Sequence, residues 1–122
     1  MTITRIALEE IAYARSGDKG NSANIGVIAY TAAGYEVLKQ RLSSDEVKRF
    51  FAALEPSKVV RYEMANLWAL NFVLYDVLAG GGSRSLRLDS QGKALGQAIL
   101  NLSLSIQQNL IPACRPRQEI KT

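Results

Sequence analysis

One stretch in the first half of this chain constrains what the rest can become: Ala14-Arg15-Ser16-Gly17-Asp18-Lys19-Gly20-Asn21-Ser22-Ala23-Asn24. It is the most polar and glycine-dense run in that half, and apolar β-like runs stand on both sides of it. Two residues such as Asn-Gly are enough to turn a hairpin. A longer connection carrying an Arg, a Lys, an Asp and two Asn therefore predicts a polar loop over residues 15–22 with a use of its own. Its glycines permit positive φ, a backbone in which successive N–H groups can point at one anion. Two further pieces share this character, Gly80-Gly81-Gly82-Ser83-Arg84-Ser85 and Arg87-Leu88-Asp89-Ser90-Gln91-Gly92-Lys93. The expectation is that the three meet in space.

The remaining pattern places them between strands and helices. Ile6, Leu8, Ile11 and Tyr13 predict a strand over about residues 5–14. Residues 24–30 are apolar on both faces, which suits a strand buried on both sides or one in a subunit interface. Gly26 inside it suggests a close backbone approach or a bulge. A turn at 31–34 leads to a short helix over 35–42. Ser43 and Glu46 form a capping box, and Val47, Phe50, Phe51 and Leu54 follow at helical spacing until Pro56. Residues 58–64 and 68–75 read as two strands turning at Asn66. Leu86 to Leu88 reads as a short extended piece. A helix over about 91–100 is weakened by Gly92 and Gly96. Leu102, Leu104 and Ile106 alternate with Ser103, Ser105 and Gln107 as a half-exposed strand, and from Asn109 on the chain reads as a tail. The order β-β-α-α-β-β-α-β predicts an α+β sandwich, mostly antiparallel, with helices on one face of the sheet. One domain over 1–108 and a tail over 109–122 suit a chain of 122 residues.

Composition removes several classes of chemistry. The chain has no histidine, which rules out Ser-His-Asp and Cys-His catalysis and the commonest transition-metal ligand. No metal motif stands behind the carboxylates. The single cysteine, Cys114, cannot form an internal disulfide and points to a reducing, cytoplasmic compartment. A net charge of +4 is too small to imply nucleic acid, and Arg and Lys do not alternate with aromatics as a base-stacking platform would. Arg5, Glu9 and Glu10 interrupt any signal-peptide core, and the apolar stretch from Met64 to Leu74, broken by Asn66 and Asn71, is too short to span a bilayer.

Several motifs, taken in order, resemble a known family. Residues 14–20 with Asn24-Ile25-Gly26-Val27-Ile28-Ala29, then Arg61-Tyr62-Glu63, Asn66-Leu67 and Leu70-Asn71-Phe72-Val73-Leu74, resemble the C-terminal domain of the acyclic terpene utilisation AtuA family. The block from Gly80 to Asp89 and Gln91-Gly92-Lys93 extends the resemblance, which spans about residues 6–106. It implies a ferredoxin-like fold. It also implies a free-standing version of a domain that long members append to a much larger N-terminal one. The metabolic setting it implies is catabolism of acyclic terpenes and branched acyl-CoA compounds. It supplies no catalytic residue and no cofactor.

The candidate site residues are Arg15, Ser16, Asp18, Lys19, Asn21 and Asn24 of the first piece, Gly81, Gly82, Arg84 and Ser85 of the second, and Asp89 and Lys93 of the third. As a cradle they would hold a carboxylate, a phosphate or a thioester carbonyl through side-chain donors and glycine amides. As a structural knot, Asp18 and the Asn side chains would bond loop backbone instead, and Asp89 would cap a helix. Asn66 and Asn71, set among apolar neighbours, need hydrogen bonds of their own when buried. Two functions of different class fit: a non-enzymatic subunit that associates with itself and with a separately encoded AtuA N-terminal-like protein, or a small enzyme or binding domain for acyl-CoA-type anions. Exposed sheet edges and apolar faces need covering, which makes a dimer the default assembly.

Overall fold

The computed structural model describes residues 2–77 and 94–116. Of the candidate site residues, Gly81, Gly82, Arg84, Ser85, Asp89 and Lys93 lie outside the described residues, as do the extended piece at Leu86 to Leu88 and the end of the tail.

The polar run is not a loop. Strand alternation passes straight through it: β2 (Ala12–Lys19) and β3 (Ser22–Ala29) pair antiparallel along their whole length, and Gly20 and Asn21 alone join them. Gly20 has φ +62°, the positive value that the first central position of a type II′ turn requires and that costs glycine nothing. Composition misled here because β2 is an edge strand with one open face. There the apolar half of the alternation shrinks to Ala12 and Ala14, and polar residues fill the rest.

The expected strand over 5–14 breaks in two. β1 (Ile3–Ala7) ends in a 3₁₀ turn at Leu8–Glu10, after which β2 turns away. Leu8 and Ile11 at this corner are fully buried, so the break is held by the core. β4 (Val59–Met64) and β5 (Ala69–Leu74) form the second hairpin through a 3₁₀ turn at Ala65–Leu67. β6 (Ser103–Gln107) returns to pair with β1. The sheets are a four-stranded β2-β3-β5-β4 and a two-stranded β1-β6, with every pairing antiparallel.

The helices pack on one face of the larger sheet. α1 (Ala32–Arg41) starts three residues before the expected position, because Thr31 is its N-cap and accepts from the Gly34 N–H at 2.9 Å. α2 (Ser44–Phe50) starts where the capping box places it, with Ser43 Oγ accepting from the Glu46 N–H at 3.1 Å. α3 (Ala94–Ile99) lies against β2. Its Gly96 is a packing requirement: a Cβ there would stand 2.9 Å from Ser16 Oγ and 3.2 Å from the Ser16 nitrogen. The Gly96 N–H donates to Ser16 Oγ at 2.7 Å, so Ser16 fastens the helix to the strand.

The expected tail does not begin at Asn109. A 3₁₀ turn at Gln108–Leu110 runs into α4 (Ile111–Cys114), whose Ile111 and Cys114 are buried against α1. Thr31 Oγ1 donates to the Ala113 carbonyl at 2.8 Å, so the residue that caps α1 also holds α4. The short apolar pattern around Pro112 gave no periodicity to read. The Cys114 thiol is pushed up from its ordinary value by desolvation, which keeps it a protonated core group.

Ile25, Val27, Leu70, Phe72 and Leu74 point from the sheet into this layer and meet Leu38, Val47 and Ile99 from the helices and Leu104 and Ile106 from β6. No polar or charged described residue is fully buried. The result is an α+β sandwich of antiparallel sheets with helices on one face, as the alternation predicts.

Candidate functional site

The other face of the four-stranded sheet carries no described element. Its residues follow from register. Arg15, Gly26, Asn71 and Tyr62 form one row across β2, β3, β5 and β4. Tyr13, Ile28, Ala69 and Met64 form the row on one side, and Gly17, Asn24, Val73 and Val60 the row on the other. Adjacent strands lie about 4.8 Å apart, so the Arg15 and Asn71 backbones are separated by about 10 Å with Gly26 between them.

This geometry sorts the sequence-predicted residues. Arg15, Lys19 and Asn24 share the open face, Ser16 and Asp18 stand on the opposite side of β2, and Asn21 sits at the hairpin tip. The cradle expected from one loop is therefore split by the pleat. Asn71 joins Arg15 and Asn24 on the open face, although the sequence pattern marked it only as a polar residue among apolar ones. Among the described residues the side chains of Arg15, Lys19, Asn24 and Asn71 bond no other side chain or backbone group.

Two shallow depressions meet there. One of about 650 Å³ is bordered by Lys19, Asn24, Asn71 and Tyr75. The other, of about 330 Å³, is bordered by Arg15, Gly26, Met64 and Leu67, and the two share Asn24 and Asn71. Gly26 keeps the floor open. An added Cβ there would meet nothing nearer than 3.9 Å, so neither crowding nor, in this row, a positive φ requires glycine. Gly17 is similar, its nearest neighbour being Asn24 Oδ1 at 3.7 Å. Two strand glycines thus forgo the side chains that would fill the face, at a cost to strand stability of about 0.5–1 kcal/mol each.

The rim is apolar and aromatic. Tyr13, Tyr62 and Met64 point out from the sheet, and Tyr30, Leu67 and Trp68 stand at the strand ends beside them, each more than a third exposed. Tyr13 and Tyr30 pack ring to ring at 5.5 Å. Trp68 sits in the left-handed region at φ 54°, which an L residue of this size adopts at a cost of about 1–2 kcal/mol. Its carbonyl accepts from the Ala29 N–H at 2.8 Å and its N–H donates to the Ala65 carbonyl at 3.2 Å, so the strained backbone is fixed. The charge is of one sign. Outward positions of the four strands hold Arg15 and Lys19 and no carboxylate, and Lys58 lies 4.7 Å over the Tyr75 ring at their end. Among the described residues no three Cys, Asp or Glu side chains gather as a metal site would need, and no helix is long and apolar enough to cross a membrane.

An antiparallel α+β sandwich with one face closed by helices and the other left open defines the class. The family model described as AtuA ferredoxin-like domain matches residues 6–105, and the chain belongs to that family. No curated protein and no solved structure matches it.

Proposed function

We propose that this chain is an accessory subunit that docks a partner protein on the open face of its sheet. The observation that carries the reading is the pair Gly17 and Gly26, kept free of side chains where the backbone has room for them. Around them Tyr62, Met64, Leu67 and Trp68 supply the rigid apolar groups that interface centres favour, and Arg15 supplies a guanidinium. The uniform positive charge fits a partner surface that carries carboxylates. The partner proposed is the larger AtuA N-terminal-like protein, encoded separately, in the cytoplasmic catabolism of acyclic terpenes or branched acyl-CoA compounds. The face is broad and shallow, which suits a protein surface better than a small ligand, whose sites bury most of the ligand.

A second reading has its own support. Lys19, Asn24 and Asn71 border the 650 Å³ depression and Arg15 borders the adjoining one, without an acidic neighbour, which suits the phosphates or carboxylate of an acyl-CoA-type anion. Titration calorimetry of the chain against an AtuA N-terminal-like protein, beside thermal unfolding with CoA, branched acyl-CoA esters and phosphate, separates the two. The docking reading expects protein binding that weakens about tenfold or more in Gly26→Val and Trp68→Ser, with no stabilisation by the small anions. A ligand at about 100 times its Kd stabilises the native state by about 2.7 kcal/mol. A shift of that size, lost in Arg15→Ala, with no protein binding, replaces docking by anion binding.

A further inference from the structure

The two edges of the four-stranded sheet are treated differently. Along β2, α3 lies against the backbone, with Gly96 close enough to Ser16 that even a methyl group would collide. Along β4, no described strand pairs with the outer edge. The Tyr75 N–H donates to the Lys58 carbonyl at 3.0 Å, so Lys58, Val60, Tyr62 and Met64 turn their backbone groups toward β5. Val59, Arg61 and Glu63 then present their N–H and C=O groups outward. A bare edge of this kind is a template for another strand.

We infer that the strand is β4 of a second copy of this chain, paired antiparallel about a two-fold axis at Tyr62. In that register the outward groups match, because Arg61 faces the partner's Glu63 and exchanges both backbone hydrogen bonds with it, and the symmetry repeats the pair. Val60 faces the partner's Met64, and the two Tyr62 side chains stand directly opposite each other. Charge selects this register. Sliding by two residues sets Arg61 against Arg61 or Glu63 against Glu63, and like charges directly opposite are unfavourable. Sliding by one residue sends every side chain to the wrong face. Both sides of the strand are open at the axis: the Glu63 side chain is 52% exposed on the helix side and Tyr62 is 49% exposed on the other. The Arg61 guanidinium is already positioned, donating to Glu63 at 2.8 Å and to the Lys39 and Leu42 carbonyls at 3.0 Å. The dimer has one eight-stranded sheet and carries both open faces on the same side. This pairing uses the edge of the sheet, and it stands or falls apart from the docking reading of the face.

Sedimentation velocity over a wide concentration range, together with cysteine cross-linking, tests it. Arg61 is left intact because it holds the end of α1. Tyr62→Cys places two thiols across a non-hydrogen-bonded pair, with Cα atoms about 4.5 Å apart, inside disulfide range. Tyr13→Cys, on the same face but on β2, gives the rate for chance encounters. The expected result is a dimer, weakened about tenfold or more by Glu63→Lys. Tyr62→Cys is expected to form a disulfide dimer about tenfold or more faster than Tyr13→Cys. A monomer at all concentrations overturns the inference. So does a dimer indifferent to Glu63→Lys in which Tyr62→Cys cross-links no faster than Tyr13→Cys.

Discussion

The four-stranded sheet has two faces built from the same strands on opposite principles. On the helix side, β3 and β5 offer Ala23, Ile25, Val27, Ala29, Leu70, Phe72 and Leu74, all buried and all apolar. On the other side the same strands offer Asn24, Gly26, Ile28, Asn71 and Val73, exposed or half-exposed, beside a buried Ala69. One face spends every position on packing, and the other leaves positions empty or unbonded. The difference shows where selection for stability ends in this fold. A sheet that needed its second face for folding would not keep Gly17, Gly26 and an unbonded Asn71 there.

The largest effect expected from that contrast is on adjacent residues of one strand. Phe72→Ala removes a fully buried ring from the helix side and is expected to cost about 3–5 kcal/mol in urea unfolding. Val73→Ala, one residue on and pointing the other way, is expected to cost about 1 kcal/mol or less. Equal costs would erase the distinction between the faces.

A middle-sized effect tests the covered edge. Glycine to alanine inside a helix ordinarily gains up to about 1 kcal/mol. At Gly96 the added Cβ would press on Ser16 Oγ and on the Ser16 and Arg15 backbone, so Gly96→Ala is expected to destabilise by about 1–3 kcal/mol. A gain on that substitution would mean that α3 does not sit tightly on β2.

The smallest effect has the opposite sign. Gly26→Val adds a β-branched residue where nothing crowds it, and is expected to leave the protein unchanged or more stable by about 0.5–1 kcal/mol. The same change should impair docking. Stability and binding moving in opposite directions at one residue would sharpen the contrast between the faces.

Much of the fold was legible where one signal dominated. Ser43 and Glu46 marked the start of α2, and alternation at Leu102, Leu104 and Ile106 marked β6. Val60, Tyr62 and Met64 marked β4, but their burial was not legible: they line the open face, while Arg61 points toward the helices and holds the last carbonyls of α1. The helix spacing at Phe50 was similarly right in period and wrong in burial, since Phe50 is exposed and packs edge-on against buried Phe51. The site was legible by residue type and not by grouping. Arg15, Lys19 and Asn24 belong together, but the hairpin pleat separates them from Ser16 and Asp18, and a reading that saw a loop had no pleat to apply. Asn71 and Trp68 become part of the face only through cross-strand register and a left-handed turn, and neither is written in local composition.

The most direct test of the claim that this sheet folds with one face and keeps the other for a partner is urea unfolding of the triple variant Tyr13→Ser, Tyr30→Ser, Trp68→Ser. None of the three residues belongs to β4 (Val59–Met64), whose outer edge would carry the dimer pairing. The account predicts a loss of no more than about 1–2 kcal/mol, roughly the Tyr13–Tyr30 ring contact, with an unchanged urea dependence. A loss of about 4 kcal/mol or more, matching Phe72→Ala, would make the open face a second core of the fold and contradict the account.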